Sequence, residues 1–238
     1  MSELQTTVAT ICQALMDKLA AGDFNVEGRL PSERTLSEHF STTRITLREA
    51  LGQLEAQGLI YREVRKGWFI SPPRILYNPL QRSHFHAMVQ EQGRSAQTEV
   101  LDASQLIASD KVCDRLGLAA GSSVYCIRRL RYIDTRAVLY VEHYLNPQFF
   151  PDIIATDLTQ SLTDLYYTRY GVRYGRVRFD MVSTCLPEQA SAALKVPQNS
   201  PALFITRINR DQHDRLIDCD LEYWRHDALR IDVEVGGN

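Results

Sequence analysis

No apolar run in the 238-residue sequence is long enough to cross a bilayer, and its first residues lack the apolar stretch of a signal peptide. No membrane partner is therefore expected, and the expected location is the cytoplasm. Cysteine is sparse: Cys12, Cys113, Cys126, Cys185 and Cys219 are scattered, odd in number, and nowhere in C-x-x-C spacing. This excludes a disulfide framework or a cysteine-rich zinc site and predicts free, mostly buried thiols. Net charge is also scarce, at −2, so the whole chain shows no electrostatic bias toward nucleic acid. Repeats and low-complexity tracts are missing. So are a nucleophile elbow, HExxH, a P-loop and paired carboxylates with a clear acid–base split. No enzymatic activity, cofactor or metal is expected. What remains is an ordinary globular composition, 44% hydrophobic and 24% charged, with ample chain to bury a core.

The informative stretch runs from Thr43 to Leu51. Thr43 suits a helix N-cap, and Leu47, Ala50, Leu51 and Leu54 recur at i, i+3, i+4, i+7, so one face is buried. Arg44, Thr46 and Arg48 fall near the other face, and Gly58 stands where helices end in a left-handed residue. Taken alone, this is most simply an amphipathic surface helix, but its neighbours favour a DNA-recognition helix. A first helix spans 6–21, with Val8, Ile11, Cys12, Leu15 and Leu19 as its stripe. Ser32 caps a second, Glu33 to Phe40, which carries Arg34. The turn Ser41-Thr42 then makes a helix-turn-helix. Downstream, Leu59–Arg62 and Trp68–Ile70 flank a tight basic turn with Arg65, Lys66 and Gly67, a wing able to reach phosphates or a minor groove. The first 71 residues carry about as many acidic as basic side chains, but the charges that touch phosphate govern affinity, not the total.

The motifs Leu30-Pro31-Ser32-Glu33-Arg34-Thr35-Leu36, Thr43-Arg44-Ile45-Thr46-Leu47-Arg48, Leu54 to Ile60 and Gly67-Trp68-Phe69-Ile70 resemble, in order and spacing, the winged helix-turn-helix of GntR-family bacterial transcription regulators. The family wing often reads Gly-x-Gly-Thr-Phe-Val. Here Arg65 replaces the first glycine and Trp68 the threonine. The resemblance implies a DNA-binding domain at 1–71, with Arg44 and Arg48 contacting bases and phosphates. Arg34, Thr43 and Thr46 would mainly position the helix, and Arg65, Lys66 and Gly67 would form the wing tip. It also implies a homodimer on a near-palindromic operator.

Residues 72–80 hold Pro72, Pro73 and Pro79 and are expected to be a linker without regular structure. Residues 81–238 read as α+β: a mostly antiparallel sheet built from hairpins at 123–145 and 202–225, a last strand from Leu229 to Val235, and helices on one side. Ser83-His84-Phe85-His86, Arg129-Leu130-Arg131, Glu142 with Tyr144-Leu145, Ser161-Leu162-Thr163, and Asp218 through Tyr223 to Asp227 resemble the UTRA effector-binding domain of the HutC subfamily, which is chorismate-lyase-like in fold. A chorismate-lyase-like enzyme acting on a small anion is the competing reading; it leaves the helix-turn-helix unexplained. The segments 42–46, 65–69 and 222–227 further resemble regulators of phosphonate utilisation that respond to 2-aminoethylphosphonate.

Alternation puts Arg129 and Arg131 on one strand face, where two guanidiniums call for an anion between them. By pattern alone a solvated face with surface salt bridges is the commoner outcome; the resemblance favours a phosphate-type site. Ser161 reads as an N-cap whose helix start could also hold an anion. The resemblance adds Phe85, His86, Thr163, Asp218, Trp224 and Glu142 as effector contacts, although Thr163 and His86 depart from its usual residues. Asp220 and Glu222 read as a polar strand face in water. His84-x-His86 lacks a convincing third metal ligand. The expected effector is a small anion, with Arg129, Arg131 and Ser161 on its anionic head and Glu142 or Asp218 on a cationic amine.

Overall fold

The computed structural model describes residues 7–22, 28–81 and 84–235; residue 6 and Ser83, named above, lie outside the described residues. Three helices open the chain: α1 (Val8–Ala21), α2 (Glu33–His39) and α3 (Arg44–Ala56). Each starts at a hydroxyl cap, with Thr7, Ser32 and Thr43 accepting from the amides of Thr10, Thr35 and Thr46. The predicted stripe faces inward. Ile11, Leu15, Leu36, Leu47, Ala50, Leu51 and Leu54 form one core with Ile60 and Trp68. The wing is a hairpin of β1 (Ile60–Glu63) and β2 (Gly67–Ile70).

The second half is a six-stranded antiparallel sheet in the order β4-β5-β6-β9-β8-β7. Its strands are β4 (Ala96–Ile107), β5 (Ser123–Ile133), β6 (Arg136–Leu145), β7 (Tyr174–Cys185), β8 (Pro201–Asp211) and β9 (Leu216–Arg225). The α+β reading holds, but helices cover both faces rather than one. Helices α4 (Phe85–Gln90) and α6 (Leu162–Tyr170) pack on the face that carries Ile127, Val141 and Ile205. Helices α5 (Asp110–Leu116) and α7 (Glu188–Leu194) pack on the face of Val124, Leu130 and Cys219. The central strands are apolar on both sides, so each side needs a cover. β7 begins earlier than its hydrophobic pattern suggests. A bulge follows Tyr174, and a Cβ at Gly175 would lie 2.2 Å from Asp211 O, so only glycine fits there.

The expectation of an irregular linker is corrected. Ile75–Tyr77 form β3, paired in parallel with β10 (Leu229–Ile231), which is shorter than the predicted final strand. The prolines flank this tripeptide, so its amides remain free to bond: Ile75 N donates to Ala228 O (2.9 Å) and Leu76 N to Gln92 Oε1 (2.8 Å). Ile75 and Tyr77 join the core with Phe85, Met88, Trp224 and Leu229. Four of the five cysteines are buried, and all five are free thiols.

Candidate functional site

The winged part turns several basic side chains to its surface, some of them paired with glutamates. Burying Leu47, Ala50, Leu51 and Leu54 turns Arg44, Ile45 and Arg48 outward. Arg48 Nε sits 2.8 Å from Glu33 Oε2, and Trp68 Nε1 donates to Glu33 Oε1 at 3.1 Å. Burial alone would raise the Glu33 pKa, but these partners hold it below the usual carboxylate range. Glu33 thereby ties α2, α3 and the wing together, a role beyond its place at a helix start. Trp68, where threonine is common, is buried in the core. Arg65 adopts φ 66°, the left-handed conformation usually left to glycine, and Gly67 follows at φ 103°. Lys66 is ion-paired with Glu63 (2.8 Å), Arg34 with Glu38 (3.5 Å), and Arg29 Nη2 donates to Lys66 O (2.7 Å). Arg29, Arg62, Arg65 and Lys66 line a groove between the wing and α2. Sequence reasoning passed over Ile45, which is 81% exposed at the start of α3.

In the second half, Arg129, Arg131, His143, Arg207 and Asn209 share one sheet face and open into a cavity beneath α4 and α6. Its volume is about 80 Å³, against about 10–15 Å³ for one water on the same measure, so it suits a small metabolite. Arg129 is 1% exposed. It donates to Leu158 O (3.2 Å) and Gln160 O (3.0 Å), which fixes the start of α6, and to His143 Nε2 (3.1 Å). Arginine cannot accept, so His143 Nε2 accepts and Nδ1–H donates to Asp220 Oδ1 at 2.6 Å. Burial, then the Arg129 charge, pushes the His143 pKa down to about 3 and keeps the ring neutral. Burial lowers Arg129 and Arg131 to about 9 and about 10, still charged at neutral pH. Neither has a carboxylate in ion-pair reach among the described residues. Arg131 lies over the Phe85 ring (4.8 Å), and its buried Nε has no partner.

Several predicted contacts do line this cavity: Phe85, His86, Arg129, Arg131, Ser161 and Thr163. Ser161 Oγ accepts from Asp164 N (3.3 Å) as the α6 cap. His86 bonds Thr98 Oγ1 (3.3 Å), and burial, with Arg131 next, lowers its pKa. His84 caps α4 through Nδ1, so the His84-x-His86 pair serves as cap and wall. Three expectations are corrected. Glu142 stands directly across from Arg128, so alternation puts it on the opposite sheet face, bonded to Arg128, Tyr140 and Tyr144. Asp218 lies behind the wall, fully buried, accepting from Tyr174 (2.9 Å) and Asn209. Burial and the neighbouring Asp220 push its pKa up. Asp220 and Glu222 are not in water. Asp220 is held by His143 and Arg207, and Glu222 accepts from Trp224 Nε1 (2.9 Å). Trp224 lines an adjoining recess with Tyr77, Phe85, Arg131, Arg207 and Glu222. Sequence reasoning missed His143, Arg207, Asn209 and Tyr174. Their strand parity was readable, but not which face of each strand meets Arg129.

Directly after Trp224, β9 reaches the winged part. Tyr61 of β1 lies between Arg136 (3.8 Å to the ring centroid) and Arg225 (4.7 Å). Asp227 bonds Arg136, Arg225 (3.3 Å) and Ser71 Oγ (2.9 Å), and His226 Nε2 donates to Glu55 O (2.7 Å). Gly58, at φ 74°, ends α3 in the left-handed conformation, with the Arg74 guanidinium packed against it.

Residues 7–70 match the family of bacterial regulatory proteins called the gntR family, and residues 91–230 match the UTRA domain. The chain is a GntR-family transcription regulator of the HutC-like kind, carrying a UTRA domain. Such regulators bind DNA and small-molecule effectors; they are not enzymes. This regulator is 29% identical over 238 residues to the HTH-type transcriptional regulator YihL of Escherichia coli, covering 99% of this chain and 100% of the relative. It is 28% identical over 200 residues to GgaR of Escherichia coli, covering 83% and 78%. Among solved structures it superimposes on PhnF from Mycobacterium smegmatis with TM-score 0.66 at 22% identity, covering 96% and 100%, which is a likeness of fold. No helix of the described residues is long and apolar enough to cross a membrane.

The buried histidine makes a pH prediction. Its pKa falls from 6.5 to about 3 on folding, so the unfolded chain binds one more proton between those values. The stability it contributes is full above pH 6.5 and is lost as pH falls, by up to about 1.4 kcal/mol per unit. Thermal melting between pH 7 and pH 4 should therefore be less steep in His143→Asn, whose amide can still reach Asp220. Identical slopes in the two proteins would reject this assignment.

Proposed function

We propose that the regulator acts in the cytoplasm as a homodimer on a near-palindromic operator, and that a small anion in the UTRA cavity sets its DNA affinity. The anion is a phosphonate or a phosphorylated metabolite. One observation carries this: Arg129 and Arg131 face one cavity, with no carboxylate in ion-pair reach among the described residues, beside the N-terminus of α6. The early amides of a helix lack intrahelical acceptors and favour a negative group, and arginine donates to phosphoryl oxygens. The resemblance to phosphonate-utilisation regulators points the same way.

Two recognition helices would enter successive major grooves, with Arg44, Thr46 and Arg48 at base edges and phosphates and Thr43 capping the helix start. Ile45 can meet a thymine methyl. Arg65, Lys66 and Gly67 would contact the backbone at the wing, and Arg34 would steady the frame. Effector binding acts on DNA only if it favours one arrangement of the two parts. β9 offers a direct route, since Glu222 and Trp224 border the cavity region, Arg225 lies over Tyr61, and Asp227, two residues on, bonds Arg225 and Ser71. The test uses DNA that the protein selects from a random-sequence pool. In fluorescence anisotropy Arg44→Ala should weaken specific binding about 10- to 100-fold, the worth of one good arginine–base contact. Unchanged specific affinity would remove Arg44 from the reading face.

A further inference from the structure

The cavity holds a second buried polar atom that no protein group answers. Besides Arg131 Nε, Asn209 Oδ1 lacks a partner, although Asn209 is 1% exposed. Its amide orientation is not ambiguous. Nδ2 faces Asp218 Oδ1 and, at 3.4 Å, Asp220 Oδ2. Asp220, kept ionised by His143 and Arg207, can only accept, so the nitrogen faces it and the carbonyl oxygen takes the other position. Asn209 lines the same cavity as Arg129 and Arg131. The cavity thus has unsatisfied donor capacity at one place and an unsatisfied acceptor at another, and a ligand that supplies both an anion and a hydrogen-bond donor answers both.

The donor could be a hydroxyl or an ammonium, and the surrounding charges choose. Among the described residues no carboxylate lines the cavity, whereas Arg129, Arg131 and Arg207 do. Asp218 and Asp220 lie behind Asn209 and are committed to Tyr174, Asn209, His143 and Arg207. Glu222 reaches only the adjoining recess. There it is already taken by Trp224 and by Arg207 (3.8 Å), and Arg131 and Arg207 share the space. An ammonium would lose its water without gaining a free counter-charge, while a neutral hydroxyl gives up far less.

We propose that Asn209 is a specificity-determining residue of the effector site: its free carbonyl oxygen accepts a hydrogen bond from a hydroxyl, so the effector is a hydroxylated phosphonate or phosphate rather than an aminoalkyl one. This rests on the cavity being the effector site.

Calorimetry on the full chain with nearly isosteric phosphonates tests it: 2-hydroxyethylphosphonate, 2-aminoethylphosphonate and propylphosphonate, with inorganic phosphate as a fourth probe. The hydroxyl compound should bind about tenfold or more tighter than the propyl compound, and tighter than the amine. Asn209→Ala should abolish the hydroxyl-over-propyl preference while keeping propylphosphonate affinity within about threefold. The wild-type series stands without the variant if Asn209→Ala fails to fold. Equal binding of the hydroxyl and propyl compounds, a preference for the amine, or a preference that survives in Asn209→Ala overturns the role of Asn209 alone. Failure of all four probes to bind overturns it together with the effector reading.

Discussion

Asp227→Ala should destabilise the protein by about 3–5 kcal/mol, the penalty of leaving buried charge without its partner. Asp227 has no exposed surface, and its carboxylate is bonded to Arg136 and Arg225, themselves 9% and 5% exposed. Burial alone would raise the Asp227 pKa; Arg136 and Arg225 hold it below the usual carboxylate range. The stability it contributes is full above the usual carboxylate pKa and is lost as pH falls below it toward the lowered value. Without Asp227, two guanidiniums beside Tyr61 keep no carboxylate in ion-pair distance among the described residues, at the seam between the winged part and the sheet. Urea unfolding should give a lower midpoint, and limited proteolysis should show faster cleavage near residues 71–74. A loss under about 1 kcal/mol would mean that the seam contributes little to the folded state.

Arg131→Ala carries the second large effect, with an unusual sign pattern. Anion affinity should fall about 100- to 1000-fold, since truncating one partner of a desolvated charge pair costs about 2–5 kcal/mol. Ligand-free stability should be nearly unchanged. Arg131 is a lowered-pKa cation with no carboxylate partner, and its Nε is unsatisfied. Removing it relieves desolvation while forfeiting the contact with Phe85. Arg129→Ala should differ, because Arg129 also holds Leu158 O, Gln160 O and His143. Its loss should lower both affinity and ligand-free melting. Calorimetry and thermal melting together separate the two. Wild-type anion affinity in Arg131→Ala would show that the cavity is not read through this residue.

The winged part was legible because its signals are local. Ser32 and Thr43 cap helices by bonding amides three residues on, and Leu47, Ala50, Leu51 and Leu54 share a face by helical periodicity alone. Trp68 and Glu33 are less local: their bond joins a strand to a helix far away in sequence, and neither residue announces the other. The effector pocket depends on such remote pairings throughout. Alternation put Arg129 and Arg131 together correctly, but Glu142 could be assigned to a face only from its register against Arg128.

By itself the sequence determined most of the elements, the helix caps, the buried stripe of the recognition helix, the hairpins and the family, since these rest on short-range periodicity and motif spacing. Tertiary structure alone decided that Glu142 turns away, that Asp218 stands behind Asn209, that Ile75–Tyr77 form a strand, and that Tyr61 rests between two arginines. The reason is physical. Which side of a strand faces a cavity, and which polar groups go unsatisfied there, follows from strand order and register, which place residues tens of positions apart within a few ångströms.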